Sequence, residues 1–285
     1  MMDYVRLIRP QHWIKNFLLV LPAFFAGSLF DIDTMKRLLL GFIAFSFAAS
    51  TIYIVNDIKD VEKDRKHEVK RNRPIASGRI GCKSAVLLAI GLFILSQIII
   101  FVLMKGLINS ANLILIIYLL INIAYSFGLK SVPIVDVMLL ALGFVLRVLF
   151  GGEIIDCMVS QWLCLTIMMF SLYMGLGKRR NELRKINGNE TRKVLLHYTD
   201  SFLSGNMLMC KTLGLVFYSF WSAIIVQNNE YMIWTILLVM AILMKYELNI
   251  DKDSFGDPVD VLLSDKMLIF LVLVYAVVII CSNFV

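Results

Sequence analysis

Charge is scarce in this chain. Charged residues make up 17% of its 285 positions and hydrophobic residues 59%. The apolar residues fall in long blocks, not in an amphipathic period, which excludes an ordinary soluble domain. Soft metal ligands are equally thin. The cysteines at 82, 157, 164, 210 and 281 form no CxxC pair, so neither a zinc site nor a disulfide framework is expected. The three histidines, His12, His67 and His197, lie far apart. Any metal chemistry must therefore use oxygen ligands. A separate soluble domain, a low-complexity tract and a strong internal repeat are also missing.

What the chain does have is apolar length. A membrane-spanning helix needs about 20 mostly apolar residues. Nine segments qualify, at about 13–30, 37–56, 84–104, 111–128, 134–151, 160–177, 207–227, 231–247 and 267–285. The expected fold is an all-α polytopic membrane protein, a single integral-membrane domain over residues 1–285 with about nine transmembrane helices. The first segment is long and no small-x-small site follows it, so it does not read as a cleavable signal peptide. The connections after the second and sixth segments are similarly placed, a faint hint of a duplicated four-span unit.

The net charge of +7 is a matter of topology, not of nucleic acid binding. With the N-terminus inside, 23 Lys and Arg fall on that side and 3 (Lys36, Arg37 and Lys105) on the other. This asymmetry places the N-terminus and the larger polar connections in the cytoplasm.

On that side, Asn56-Asp57-Ile58-Lys59-Asp60-Val61-Glu62-Lys63-Asp64 joins the second apolar segment to a basic stretch. Asp57, Asp60 and Asp64 are spaced i, i+3, i+7, which predicts one face of a helix. Carboxylates so placed repel one another, and a hard cation such as Mg²⁺ would compensate them while taking substrate phosphates as further ligands. A solvated helix end is the plainer reading. Lys70-Arg71-Asn72-Arg73-Pro74 follows, and Arg forks suit phosphate oxygens, although positive-inside bias also supplies such charges.

Other groups share this rim. Arg9-Pro10-Gln11-His12-Trp13-Ile14-Lys15-Asn16 opens the first segment, as an interfacial anchor or as a set of donors. Tyr125 and Lys130 close the fourth segment and Asp136 opens the fifth. Arg147, eleven residues later, falls on the same side of that helix; it is expected either to pair with a buried carboxylate or to line a polar cavity. Gly177-Lys178-Arg179-Arg180-Asn181-Glu182-Leu183-Arg184-Lys185 reads as a loop with five cations against one carboxylate, an anion trap or a topology signal. Residues 190–204 carry Val194, Leu195, Tyr198 and Phe202 at helical spacing, which suggests an interfacial helix or a plain linker. Asp251-Lys252-Asp253-Ser254-Phe255-Gly256 begins like a calcium loop and fails: Phe255 holds a ligand position and Leu262 stands where the bidentate Glu belongs. Asp260 and Asp265 read as loop or cap residues.

The motif at 56–64 resembles the NDxxDxxxD signature of the UbiA superfamily of intramembrane prenyltransferases. The similarity covers essentially the whole chain, including Arg73-Pro74-Ile75-Ala76-Ser77-Gly78 and the pair Tyr125 and Lys130. It implies a helical bundle around a cavity open to the cytoplasm and sideways to lipid, with Asn56, Asp57, Asp60 and Asp64 holding Mg²⁺ on a diphosphate. Two departures matter. A second DxxxD motif, usual after the sixth span, is replaced here by Lys178-Arg179-Arg180-Asn181-Glu182, and the Tyr-to-Lys spacing is one residue longer than usual. Together with Lys15-Asn16 and Gly143-Phe144…Arg147…Gly151-Gly152, these resemble the decaprenyl-phosphate phosphoribosyltransferase branch. That resemblance implies phosphoribosyl diphosphate and a polyprenyl phosphate as substrates, with membrane lipids around the bundle. Lys15, Asn16, Asn56, Arg71, Arg73, Tyr125, Lys130, Asp136, Arg147, Lys178, Arg179 and Glu182 become candidate substrate-binding residues. The basic stretch suits this choice, because a neutral aromatic acceptor has no need of five cations. Prenyl transfer to an aromatic or other acceptor is the alternative, and a non-enzymatic lipid-phosphate carrier is a further one. A homo-oligomer is compatible with all three.

Overall fold

A computed structural model describes residues 2–184, 193–225, 230–252 and 258–282. Among the described residues the regular structure is entirely helical. The helices are α1 (Met2–Ile8), α2 (Leu21–Phe25), α3 (Ile32–Lys59), α4 (Val61–Lys66), α5 (Cys82–Met104), α6 (Ser110–Ser126), α7 (Val135–Ile154), α8 (Gln161–Arg184), α9 (Asp200–Phe220), α10 (Thr235–Lys252), α11 (Pro258–Ser264) and α12 (Lys266–Ser282). Among the described residues five helices are long and apolar enough to cross a membrane, and α6 and α12 are shorter apolar helices. The described parts of the nine apolar segments lie largely on helical backbone, and the protein is a multi-pass membrane protein.

The chain forms two compact units. The first comprises residues 1–23, 28–126 and 146–158; the second comprises 24–27, 127–145 and 159–285. In the first unit α3 is 28 residues long, or about 42 Å at 1.5 Å per residue. The Asp31 carboxylate starts it by accepting from the Thr34 amide at 2.9 Å, the usual N-cap arrangement. Leu7, Ile54, Ile75, Ile80, Ala85, Ala89 and Leu92 form a buried cluster at one end of this unit.

The first apolar segment departs from the expectation of one α-helix. Pro10–Val20 is a 3-10 helix, far longer than the usual 3–4 residues. Its three-residue repeat aligns Trp13, Asn16 and Leu19, whereas an α-helix would fan them apart. Trp13 donates to the Ser50 hydroxyl at 3.0 Å and Asn16 donates to the Ser46 hydroxyl at 3.0 Å. The two serines are one α-turn apart on α3. At Leu19 the segment meets α7 so closely that a Cβ on Gly151 would lie 2.0 Å from the Leu19 carbonyl oxygen. Polar side chains and a glycine therefore hold this unusual helix where hydrophobic burial alone would not choose its pitch.

The second unit is built on a larger apolar core, including Tyr173, Leu203, Met207, Tyr218, Leu243 and Ile250. Gly214 lets α9 approach α8, since a Cβ there would lie 2.4 Å from the Phe170 ring. Asp265 starts α12, as its cap role required: it accepts from the Leu268 amide at 2.8 Å and pairs with Lys245 at 2.9 Å. The ammonium and the cap hold its carboxyl below the usual range.

Candidate active site

The acidic motif does not lie on one continuous helix. α3 ends at Lys59, Asp60 stands at the joint with φ −90° and ψ 8°, and α4 begins at Val61. The Asp60 amide still bonds the Asn56 carbonyl at 2.9 Å. The kink keeps Asp57 and Asp64 together. Both are 3% exposed, and both reach Arg73: its Nη1 lies 3.1 Å from Asp57 Oδ1 and 2.6 Å from Asp64 Oδ2. Arg9 adds a second guanidinium, with Nη2 2.5 Å from the same Asp57 oxygen. Asp60 and Asn56 sit half-buried beside them, and Arg71 is exposed.

Arg9 carries a further mark. Its φ of 56° and ψ of 59° are left-handed, a region that a non-glycine residue enters only at a cost, and the more so before a proline. Its guanidinium lies 5.5 Å from the Tyr53 ring centroid. Backbone strain of this kind persists where surrounding contacts over-determine it.

Among the described residues no three His, Cys, Asp or Glu side chains form a ready-made metal cage. The donor set nevertheless fits a hard cation. Two carboxylate oxygens, from residues seven apart, converge on a single cationic nitrogen, and Mg²⁺ is characteristically held by one or two carboxylates plus water and substrate phosphates.

A second polar group in the same unit surrounds Arg147, 6% exposed. Its Nε donates to Asn16 Oδ1 at 2.9 Å and its Nη2 to the Tyr118 hydroxyl at 2.9 Å. The Phe45 and Tyr118 ring centroids lie 5.4 and 4.9 Å from the guanidinium carbon. Lys15 is half-buried on the same 3-10 helix, and Tyr125 is half-buried near the end of α6. Lys59, inside the acidic motif, reaches the Ser126 carbonyl at that helix end.

The second unit corrects the reading of the basic stretch. Residues 177–184 are not a loop but the last turns of α8, and Lys185 lies outside the described residues. Nor are the three arginines there an open anion trap, because acids, most of them distant in sequence, meet them. Arg179, 1% exposed, donates to Asp136 at 2.6 Å and to Glu182 at 2.8 Å. Arg180 pairs with Asp251 at 2.5 Å, and Arg184 pairs with Asp200 at 2.6 Å and Asp251 at 3.2 Å. Lys178 is half-buried, as is Lys130 in the turn Leu129–Ser131.

Asp136 is fully buried and also accepts from the Tyr198 hydroxyl at 2.6 Å. That hydroxyl in turn accepts from the amide of Ile134, a β-branched residue at φ 70°. Tyr198 was legible only as part of an amphipathic stretch. The interfacial helix expected there is a short 3-10 turn, Lys193–His197, with Val194, Leu195 and Tyr198 buried; residues 190–192 lie outside the described set. Asp253 to Gly256 of the failed calcium loop lie outside it too. Sequence spacing put Asp136 and Arg147 on one side of a helix, yet each has acquired its own partners.

Comparison with known proteins agrees with this architecture. Residues 16–280 match the model of the UbiA prenyltransferase family. The decaprenyl-phosphate phosphoribosyltransferase of Corynebacterium glutamicum is 33% identical over 99% of this chain and 86% of that protein. The enzyme of the same name from Mycobacterium tuberculosis H37Rv is 32% identical over 95% of this chain and 91% of its own. Among solved structures, a UbiA homologue from Archaeoglobus fulgidus bound to GPP and Mg²⁺ superposes with a TM-score of 0.72, at 19% identity and covering 98% of this chain and 99% of that one. The described helices and a family match spanning nearly the whole sequence lead to one conclusion: this chain belongs to the UbiA prenyltransferase family.

Proposed function

We propose that this protein transfers 5-phosphoribose from phosphoribosyl diphosphate to a polyprenyl phosphate, releasing diphosphate, in a Mg²⁺-dependent reaction at the cytoplasmic membrane face. The observation that carries the reading is the convergence of Asp57 and Asp64 oxygens on one nitrogen of Arg73, in a chain whose near-full-length relatives are named for this transfer. Asn56, Asp57, Asp60 and Asp64 would hold the metal, which would supply charge neutralisation on the departing diphosphate. The weighting of Lys and Arg toward one set of connections, 23 against 3, supports the cytoplasmic placement of the motif, and the bacterial relatives support a bacterial plasma-membrane setting.

The chain's own residues then have two tasks. In the first unit Lys15, Arg71 and Arg73 offer cations and Tyr125 a hydroxyl to substrate phosphates; in the second unit Lys130 and Lys178 offer cations of the same kind. Asn16 and Arg147 in the first unit, and Asp136, Arg179 and Glu182 in the second, first read as substrate ligands, belong to hydrogen-bonded networks within their own units. The lipid phosphate is already ionised at neutral pH, so an oxygen of that phosphate can attack C1 of the ribose without a strong general base. The C1–O bond to diphosphate breaks, C1 inverts, and the products are a phosphoribosylated lipid phosphate and diphosphate. Catalysis on this reading is positioning and electrostatic stabilisation.

The fold neighbour bound to GPP supplies the competing reading, prenyl transfer from a prenyl diphosphate. Purified protein is given each diphosphate with a polyprenyl phosphate or an aromatic acid, with and without Mg²⁺, and the lipid product is identified by mass. A phosphoribosylated lipid is expected; a prenylated aromatic with no phosphoribosyl product overturns the assignment.

A further inference from the structure

The acidic cluster is already neutralised from within the chain. Asp57 and Asp64 bring two carboxylates close together in a buried setting, where like charges call for a counter-charge. Arg73 and Arg9 supply it: one nitrogen of Arg73 spans both carboxylates, and Arg9 shares the Asp57 oxygen. A hard cation bound by the same carboxylates would meet these guanidiniums as competitors. A metal ion that took Asp57 Oδ1 and Asp64 Oδ2 as ligands would compete with Arg73 for those oxygens. The two arginines are themselves only partly withdrawn from water, with side-chain exposures of 18% for Arg9 and 31% for Arg73, so both can swing outward while the carboxylates stay where the fold fixes them. Arg9 is also held in a left-handed conformation before Pro10, a strain that its contact with Asp57 helps to maintain and that its release would relieve.

We propose that Arg9 and Arg73 are the resident counter-cations of this site, and that divalent metal enters by exchange with them. The displaced guanidiniums then face the incoming diphosphate. Substrate and metal would bind synergistically, because the diphosphate takes over the arginines that the metal evicts. In the absence of substrate the arginines keep metal affinity low. This inference rests on the reading of Asp57 and Asp64 as metal ligands, and the experiment separates the two.

Mn²⁺ binding to the purified, substrate-free protein in detergent is followed by the electron paramagnetic resonance signal of free Mn²⁺, with Mg²⁺ as competitor. Arg73→Gln and Arg9→Gln are expected to bind Mn²⁺ at least about 10-fold more tightly than wild type, the factor for losing one charge-assisted contact that competes with the metal. Phosphoribosyl diphosphate should enhance Mn²⁺ binding strongly in wild type and much less in either variant. Arg73→Lys should fall between, since it keeps a competing positive charge but lacks the planar guanidinium's fixed donor geometry. Thermal unfolding of each variant identifies the folded ones, and the two arginines give independent tests. If folded variants bind Mn²⁺ no better than wild type while Asp64→Asn abolishes binding, exchange is wrong and the metal site stands. If Asp64→Asn leaves Mn²⁺ binding unchanged, or if no variant binds Mn²⁺ at all, the metal-site reading falls and the exchange falls with it.

Discussion

Asp136 and Arg179 form an ion pair at 2.6 Å with side-chain exposures of 0% and 1%. The pair joins α7 to α8 inside the second unit, and Tyr198 and Glu182 add hydrogen bonds to it. Arg179 is therefore spoken for by the fold before any phosphate arrives. Breaking a buried pair from one side leaves the other charge stranded, which is far more costly than the pair is worth.

Arg179→Ala should consequently lower stability by about 3–5 kcal/mol, read as a loss of thermal stability in detergent. The double replacement Asp136→Leu with Arg179→Met should recover much of that loss. An unaltered melting temperature in Arg179→Ala, with weakened substrate binding alone, would return this residue to the phosphate site.

The acidic motif behaves differently. Asp57→Asn and Asp60→Asn preserve side-chain shape, and the amide oxygen that Asp57→Asn introduces can still accept hydrogen bonds from the two arginines. Both variants should fold and lose turnover most severely at limiting Mg²⁺. Wild-type turnover at limiting Mg²⁺ in either folded variant would remove these carboxylates from the mechanism.

Gly151 tests the docking of the 3-10 helix. Gly151→Ala places a methyl 2.0 Å from the Leu19 carbonyl oxygen, where backbone, not a flexible side chain, must move, so a destabilisation of about 1–3 kcal/mol or more is expected. Gly205→Ala is the control. It lies inside α9 with nothing within 4 Å of the added methyl, and helix propensity predicts a gain of about 0.5–1 kcal/mol. Thermal unfolding of the pair should move in opposite directions.

Asn16 links that helix to the interior through Arg147. Asn16→Leu removes the acceptor of Arg147 Nε and the donor to Ser46, and leaving such buried groups unsatisfied costs about 1–3 kcal/mol. Stability should fall with the affinity for either substrate changed little once the protein is assayed below its melting temperature. A selective loss of substrate affinity at unchanged stability would make Asn16 a direct ligand.

Length and hydropathy determined the helical, membrane-spanning class, because water cannot satisfy a backbone in lipid and only hydrogen-bonded helices of about 20 residues or closed barrels cross it. The spacing of Asp57, Asp60 and Asp64 likewise identified the acidic motif, since nine consecutive residues can only lie close together. What the sequence could not contain was the partner of each charge. Asp57 meets Arg9 across 48 positions, Arg147 meets Asn16 across 131, and Arg180 meets Asp251 across 71. Counting charges along one stretch made 178–185 an open basic loop; the tertiary fold made 178–184 the end of α8, buried Arg179 and Arg180, and brought in Asp136, Asp200 and Asp251 from elsewhere. The 3-10 pitch of Pro10–Val20 was hidden for the same reason. Its apolar composition suits an α-helix equally well, and only the serines of α3 and the backbone contact at Gly151 decide between the two.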